Sequence, residues 1–216
     1  MCNNVSMNKT NANDILDKLE QKFPNAKCEL NYTTPFELLV AVILSAQCTD
    51  KRVNQVTSEL FKIYNTPKQF AMLSVEELSF YIYSCGFYKN KATNIIETSK
   101  ILQEKYNGEV PRTMEELTSL KGVGRKTANV VMSEAFKIPA IAVDTHVLRV
   151  SNRLGFIKSD SPDKVELALQ KQIDKSRWSR AHHLFIFLGR YCCKSQNPNC
   201  AECPVYEYCK YTNKKA

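Results

Sequence analysis

The 216-residue chain is predicted to be all-α on three observations. Apolar residues recur at helical spacing almost throughout, capping signals open one segment after another, and proline falls between segments rather than inside them. Residues 14–23 place Ile15, Leu16, Leu19 and Phe23 on one helical face. Residues 36–46 are apolar nearly all round, which predicts a central buried helix, and the stretch is too short to span a bilayer. Thr49-Asp50 can cap a helix over 51–64, and Ser74-Val-Glu-Glu77 and Thr113-Met-Glu-Glu116 read as capping boxes that start two more. Pro35, Pro67, Pro111, Pro139 and Pro162 stand between periodic segments or at helix starts, where a missing N–H costs little. Lys137-Ile-Pro-Ala-Ile-Ala142 breaks the helical period and is the best internal boundary, a link between two helical lobes.

Thirty Lys and Arg against 22 Asp and Glu give a formal charge of +8, a balance expected of a polyanion binder and shared by ordinary basic surfaces. Residues 1–13 are polar and lack the apolar core of a secretory signal, so the expected location is cytoplasmic, with no membrane partner. Nine cysteines, an odd number in a reducing compartment, make structural disulfides the weaker reading.

The decapeptide Leu120-Lys-Gly-Val-Gly-Arg-Lys-Thr-Ala-Asn129 carries the most chemistry. A helical segment runs into Gly122 and Gly124 and a second helix opens near Arg125, so the turn offers backbone N–H groups that no Cβ shields from a phosphate. Lys126 falls in the first turn of that second helix, where the positive helix end and Arg125 both disfavour an ammonium, a placement suited to a nucleophilic amine. A plain phosphate contact is the alternative for Lys126. Downstream, Val143-Asp-Thr-His146 sets Asp144 where it can cap a helix starting at Thr145, and His146 can orient a phosphate or pack locally.

Cys193, Cys200, Cys203 and Cys209 form Cys-x6-Cys-x2-Cys-x5-Cys, close enough in sequence to surround one metal centre. Structural zinc sites combine two tight pairs, whereas one tight pair occurs here, so a four-iron cluster fits the wider spacing better. Cys192 is open as an alternative first ligand, with Cys193 preferred. Cys28, Cys48 and Cys85 read as isolated small core side chains, Cys2 as part of a frayed end, and His182 and His183 as non-ligands.

Together the hairpin, the Val143-Asp-Thr-His146 segment and the cysteine spacing resemble the endonuclease III family, helix-hairpin-helix DNA glycosylases with an iron–sulfur cluster. The likeness runs from about Pro35 to Cys209 and includes Leu44-Ser-Ala-Gln47, Cys85-Gly-Phe-Tyr88 and Gly189-Arg-Tyr191. It implies a six-helix domain over residues 28–137, a discontinuous cluster domain from 1–27 and 138–216, and a DNA-binding cleft between them. It further implies base excision repair: an N-glycosylase that removes oxidised pyrimidines such as thymine glycol, and an abasic-site lyase that cleaves by β-elimination through a lysine Schiff base.

By the same resemblance Lys126 is the catalytic lysine and Asp144 the catalytic aspartate. Gln47 enters the base stack opposite the lesion, and Phe87 is an apolar wedge; from the residues alone these two are a helix C-terminal cap and a core aromatic. Gly122, Gly124, Arg125 and His146 are implied DNA contacts, as is Lys194 in a basic loop framed by Cys193 and Cys200. The implied cofactor is a [4Fe–4S] cluster on the four cysteines, and the implied partner is duplex DNA holding damaged pyrimidines or abasic sites, bound by a monomer. A thymine-mismatch branch of the superfamily carries tyrosine at the lysine position, which Lys126 argues against. The competing class is a non-enzymatic DNA-binding module, which gains nothing from a carboxylate such as Asp144 beside phosphates.

Overall fold

The computed structural model describes residues 7–214, and every regular element among them is helical. The chain divides between Ile138 and Pro139 and again after Cys28, giving one unit of residues 29–138 and another from the two flanking segments.

The 29–138 unit is built on α2 (Pro35–Ser45), whose residues from Phe36 to Leu44 are all buried. Its start is over-determined: Thr34 caps the Glu37 N–H, Pro35 presets the first turn, and the buried Glu37 carboxylate accepts from the Thr33 N–H and hydroxyl at 2.6 and 2.7 Å. Against α2 pack α3 (Asp50–Ile63), α6 (Tyr88–Tyr106) and α8 (Arg125–Phe136); α4 (Pro67–Ala71) and α5 (Val75–Ile82) lie on α6, and α7 (Met114–Ser119) lies on α8. The unit therefore holds seven helices rather than six. The shortest, α4, exists because Thr66 and Gln69 form a full capping box around Pro67. Ser74 and Glu77 form the expected box, but at α7 only half of it is made, since Glu116 accepts from the Thr113 hydroxyl instead of its N–H.

The second unit packs α1 (Lys9–Lys22), α9 (Thr145–Leu154), α10 (Pro162–Gln172) and α11 (Trp178–Tyr191) around one core. Ile15, Leu16 and Leu19 of α1 are fully buried, each contributing about 1.5–3 kcal/mol, which is ample to hold a 14-residue helix. Arg180 of α11 reinforces the contact through a two-pronged pair with Glu20 at 2.6 Å and donation to the carbonyls of Phe23 and Pro24. Gly189 lets α11 approach α9, because a Cβ there would lie 2.8 Å from the His146 Cβ. In the run 137–142, which breaks helical period, Lys137 is exposed while Ala140, Ile141 and Ala142 are buried, as is Val143 after them. Buried His182 bonds the Ala142 carbonyl, which accounts for its place without a metal. Cys2 lies outside the described residues.

Candidate functional site

In the α7–α8 hairpin, buried Leu120 and Val123 anchor the loop, and the Thr98 hydroxyl fastens it by donating to the Lys121 carbonyl at 2.9 Å. The two glycines do different work. Gly122 has φ +74°, and a Cβ there would also press within 3.0 Å of the Asn94 side chain, so both backbone and space require glycine. Gly124 has an extended φ of −91° that any residue adopts, and its added Cβ would meet nothing within 4 Å. Open approach to the N-terminus of α8 is thus what Gly124 supplies. It leaves that helix without a side-chain cap, so the first N–H groups point outward with exposed Arg125 and Lys126 at the helix's first two positions.

A second feature of the same unit joins two strained turns. Ser45 to Cys48 form a type II turn: Ala46 has φ −58° and ψ 114°, Gln47 has φ +53°, and the Cys48 N–H donates to the Ser45 carbonyl at 3.1 Å. That third position favours glycine, yet it holds an exposed glutamine. Phe87, at the start of α6, has φ +57° and is 65 % exposed. The core-aromatic reading of Phe87 is therefore wrong, because a core ring would be covered. The turns adjoin, a Cβ on Gly86 lying 3.5 Å from the Gln47 carbonyl. Backbone strain of roughly 1–3 kcal/mol at each residue persists only where surrounding structure enforces it. Here the enforcing group is Lys91, 5 % exposed, whose ammonium donates to the Leu44 and Ala46 carbonyls at 2.8 and 2.6 Å.

In the other unit Asp144 is the N-cap of α9, accepting from the Val147 N–H through Oδ1 at 2.7 Å, which orients its carboxylate. His146 is half-buried against Gly189, and its Nδ1 lies 3.1 Å from the Arg149 guanidinium. The ring also bonds the Gly189 backbone. Burial first, then the charges of Arg149 and Arg190, hold its pKa below the ordinary histidine value, with Asp144 opposing. His146 thus packs as a neutral ring. Arg149 and Arg153, one turn apart, were not singled out by sequence reasoning, yet both grip the cysteine segment. Arg149 donates to the Cys193 and Gly189 carbonyls at 3.0 and 2.9 Å. Arg153 donates to the Lys194 and Ser195 carbonyls at 2.7 and 3.1 Å, reaches the Cys193 Sγ at 3.4 Å, and stacks over Tyr211. Lys194 itself is exposed.

Cys192, Cys193, Cys200, Cys203 and Cys209 line one cavity with Arg153, Tyr206 and Tyr211. The four cysteines of the Cys-x6-Cys-x2-Cys-x5-Cys pattern thus border one common space. The contact with Cys192 and then burial push the Cys203 thiol up, and burial pushes Cys209 up. Thiolates here need a cationic centre to compensate them, which iron supplies. The Cys192 thiol donates to the Asn199 carbonyl at 3.1 Å.

Known proteins resolve what this arrangement serves. Residues 40–175 match the HhH-GPD superfamily of base excision DNA repair proteins, and residues 193–209, which begin and end on cysteine, match the iron–sulfur binding domain of endonuclease III. The chain is 54% identical to endonuclease III of Bacillus subtilis (strain 168) over 93% of its length and 92% of the relative's. It is 45% identical to the Escherichia coli (strain K12) enzyme over 96% and 99%. A solved structure of a trapped endonuclease III–DNA covalent intermediate superposes with a TM-score of 0.91 at 54% identity, over 94% of this chain and 96% of that one. The all-helical fold, the hairpin, the thiol-lined cavity and these likenesses together make the chain a member of the endonuclease III family, base excision repair enzymes with DNA glycosylase and abasic-site lyase activities and a [4Fe–4S] cluster.

Proposed function

We propose that the enzyme removes oxidised pyrimidines from duplex DNA and cleaves the resulting abasic site through a Schiff base on Lys126. The observation that carries this reading is the exposed Lys126 at the second position of an uncapped, glycine-led helix start, where a gripped phosphate would hold the adjoining sugar beside an amine. A glycosylase must rotate the target nucleotide out of the duplex and fill the gap left behind. Exposed Gln47 and Phe87, held in left-handed backbone, are the residues assigned to that gap.

Gly122 and Gly124 present the backbone N–H groups, and Arg125 adds charge toward phosphate. The Lys126 amine attacks C1′ as the base departs, giving a Schiff base after proton loss; removal of the C2′ proton then expels the 3′ phosphate. The Asp144 carboxylate, fixed by its cap bond, steadies positive charge on the sugar and accepts protons. His146 packs its ring on Gly189 and supports α9 beside Asp144, and its open side is assigned to a phosphate. Cys193, Cys200, Cys203 and Cys209 would hold the cluster. Iron bound there would compensate four thiolates and help fix the Lys194 loop, which Arg149 and Arg153 tether. One chain carries every residue this reading needs, so a monomer suffices.

The test is a set of duplexes, each with one defined lesion, scored separately for base release and strand cleavage. Thymine glycol should be released and the strand cut, Lys126→Gln should do neither, and Asp144→Asn should fold normally, because asparagine is an equally good N-cap, while reacting far more slowly. Full activity in Lys126→Gln would discard the assignment.

A further inference from the structure

Cys48 and Cys85 belong to the two adjoining strained turns, and Cys48 is near enough to help push the Cys85 thiol up. They are not the isolated core side chains that sequence alone indicates. Cys85 is wholly buried, whereas Cys48 is only partly buried. The backbones around them are close, as the Gly86 approach to the Gln47 carbonyl shows. Two cations face the pair: the buried Lys91 ammonium and Arg52.

We propose that Cys48 and Cys85 are a peroxide-oxidised thiol pair whose disulfide ties the Gln47 turn to the Phe87 turn and slows the enzyme. The gating half of this proposal rests on the role assigned above to Gln47 and Phe87; the thiol chemistry does not. Hydrogen peroxide is the oxidant. The Cys48 sulfur attacks one peroxide oxygen, the O–O bond breaks, and the leaving hydroxide takes up the thiol proton as water. Sulfenic acid remains on Cys48. Buried Cys85 then displaces that hydroxyl: the S–S bond forms, the S–O bond breaks, and the Cys85 proton leaves with hydroxide as a second water. Two thiols lose two electrons, and one peroxide becomes two waters. Burial, and then Cys48 beside it, push the Cys85 thiol up to about 11, which fits the later, resolving part rather than the first attack. A bond between them removes the freedom of either turn to re-aim its probe residue against DNA.

The test treats the cluster-loaded full chain briefly with a small excess of hydrogen peroxide, removes the oxidant with catalase, and checks that the visible absorbance of the cluster is unchanged. Peptide mapping after denaturing alkylation should find the Cys48 and Cys85 peptides joined, lighter by two hydrogens and separated by dithiothreitol. Base release from thymine-glycol duplex should slow roughly tenfold to a hundredfold, the range expected when reacting groups are misplaced by about an ångström, and recover on reduction. Cys48→Ser should keep its rate under the same treatment. Cys85→Ala serves as a second variant should one of them fold poorly. Full alkylation of both thiols, a link to some other cysteine, or equal slowing in Cys48→Ser would overturn the pair. A correct link with an unchanged rate would overturn the gating. Should the reduced protein release no oxidised pyrimidine, the proposed substrate falls, while the joined peptide still decides the thiol pair.

Discussion

Lys91→Met removes one ammonium and keeps the apolar stem, so it isolates what that charge does for the Gln47 turn. The lysine is 5 % exposed and donates to the Leu44 and Ala46 carbonyls at 2.8 and 2.6 Å, at the open end of α2. Each bond from a charged donor is worth about 1.5–3 kcal/mol, and the negative helix end adds up to about 1 kcal/mol. Against this, keeping the ammonium out of water costs several kcal/mol, and burial accordingly holds the Lys91 pKa below the usual lysine value. Methionine lifts that penalty but strands two carbonyls. The balance is a net loss of about 2 kcal/mol, felt first in the turn. Hydrogen exchange read by mass spectrometry on the peptide spanning Ser45 to Cys48 should then quicken about thirtyfold, since about 1.4 kcal/mol is tenfold. Binding to undamaged duplex should hardly change, because that relies on the hairpin. Unaltered or slower exchange would show that desolvation outweighs the two bonds and refute the role given to Lys91.

Three further outcomes follow from the same geometry. Cys203→Ser should lose the yellow-brown colour and most of the roughly four irons per chain expected by metal analysis of the wild type; stoichiometric zinc in protein purified without oxygen, or full iron content in the variant, would contradict the cluster assignment. Gly124→Ala should leave thermal stability unchanged, as its Cβ meets nothing within 4 Å, but weaken damaged and undamaged duplex alike in a titration; a loss confined to damaged DNA would contradict a phosphate contact. His146 is neutral in the fold because burial and then Arg149 and Arg190 lower its pKa, so the unfolded chain takes up the proton first as pH falls through about 6.5. Its contribution is complete above that value and declines below it. Urea unfolding at about pH 7.5 and 5.5 should show a smaller acid loss in His146→Gln than in wild type, and equal losses would refute the reading.

The helices were legible because their signals are local. Ser74 and Glu77 sit three residues apart, and the unbroken apolar run from Phe36 needs no tertiary information to read as buried. The five-residue α4 escaped because its box uses Gln69 rather than an acid and its pattern is too short for periodicity. Lys126, Asp144 and the cysteine cluster stand in contiguous motifs and could be named from sequence. What could not be named depends on contacts distant along the chain. Arg149 and Arg153 have the spacing of neighbours on one helix face, but their partners lie in the cysteine segment some 40 residues on. Lys91 carries no local signal, because the carbonyls it bonds lie at the end of α2, 45 and 47 residues earlier. Cys48 and Cys85 read as separate core residues for the same reason, and the left-handed backbone of Gln47 and Phe87 has no compositional signature, since glycine would be the expected occupant.

Covalent trapping tests the central assignment most directly, because a Schiff base between Lys126 and C1′ can be reduced to a permanent bond while a phosphate-binding lysine cannot. Borohydride added during reaction with thymine-glycol duplex should give a protein–DNA adduct, and peptide mapping should place the sugar on Lys126. Lys126→Gln should give no adduct while still binding duplex, since one lost phosphate contact among several costs only part of the affinity. An adduct on any other lysine, or strand cleavage undiminished in Lys126→Gln, would contradict the account.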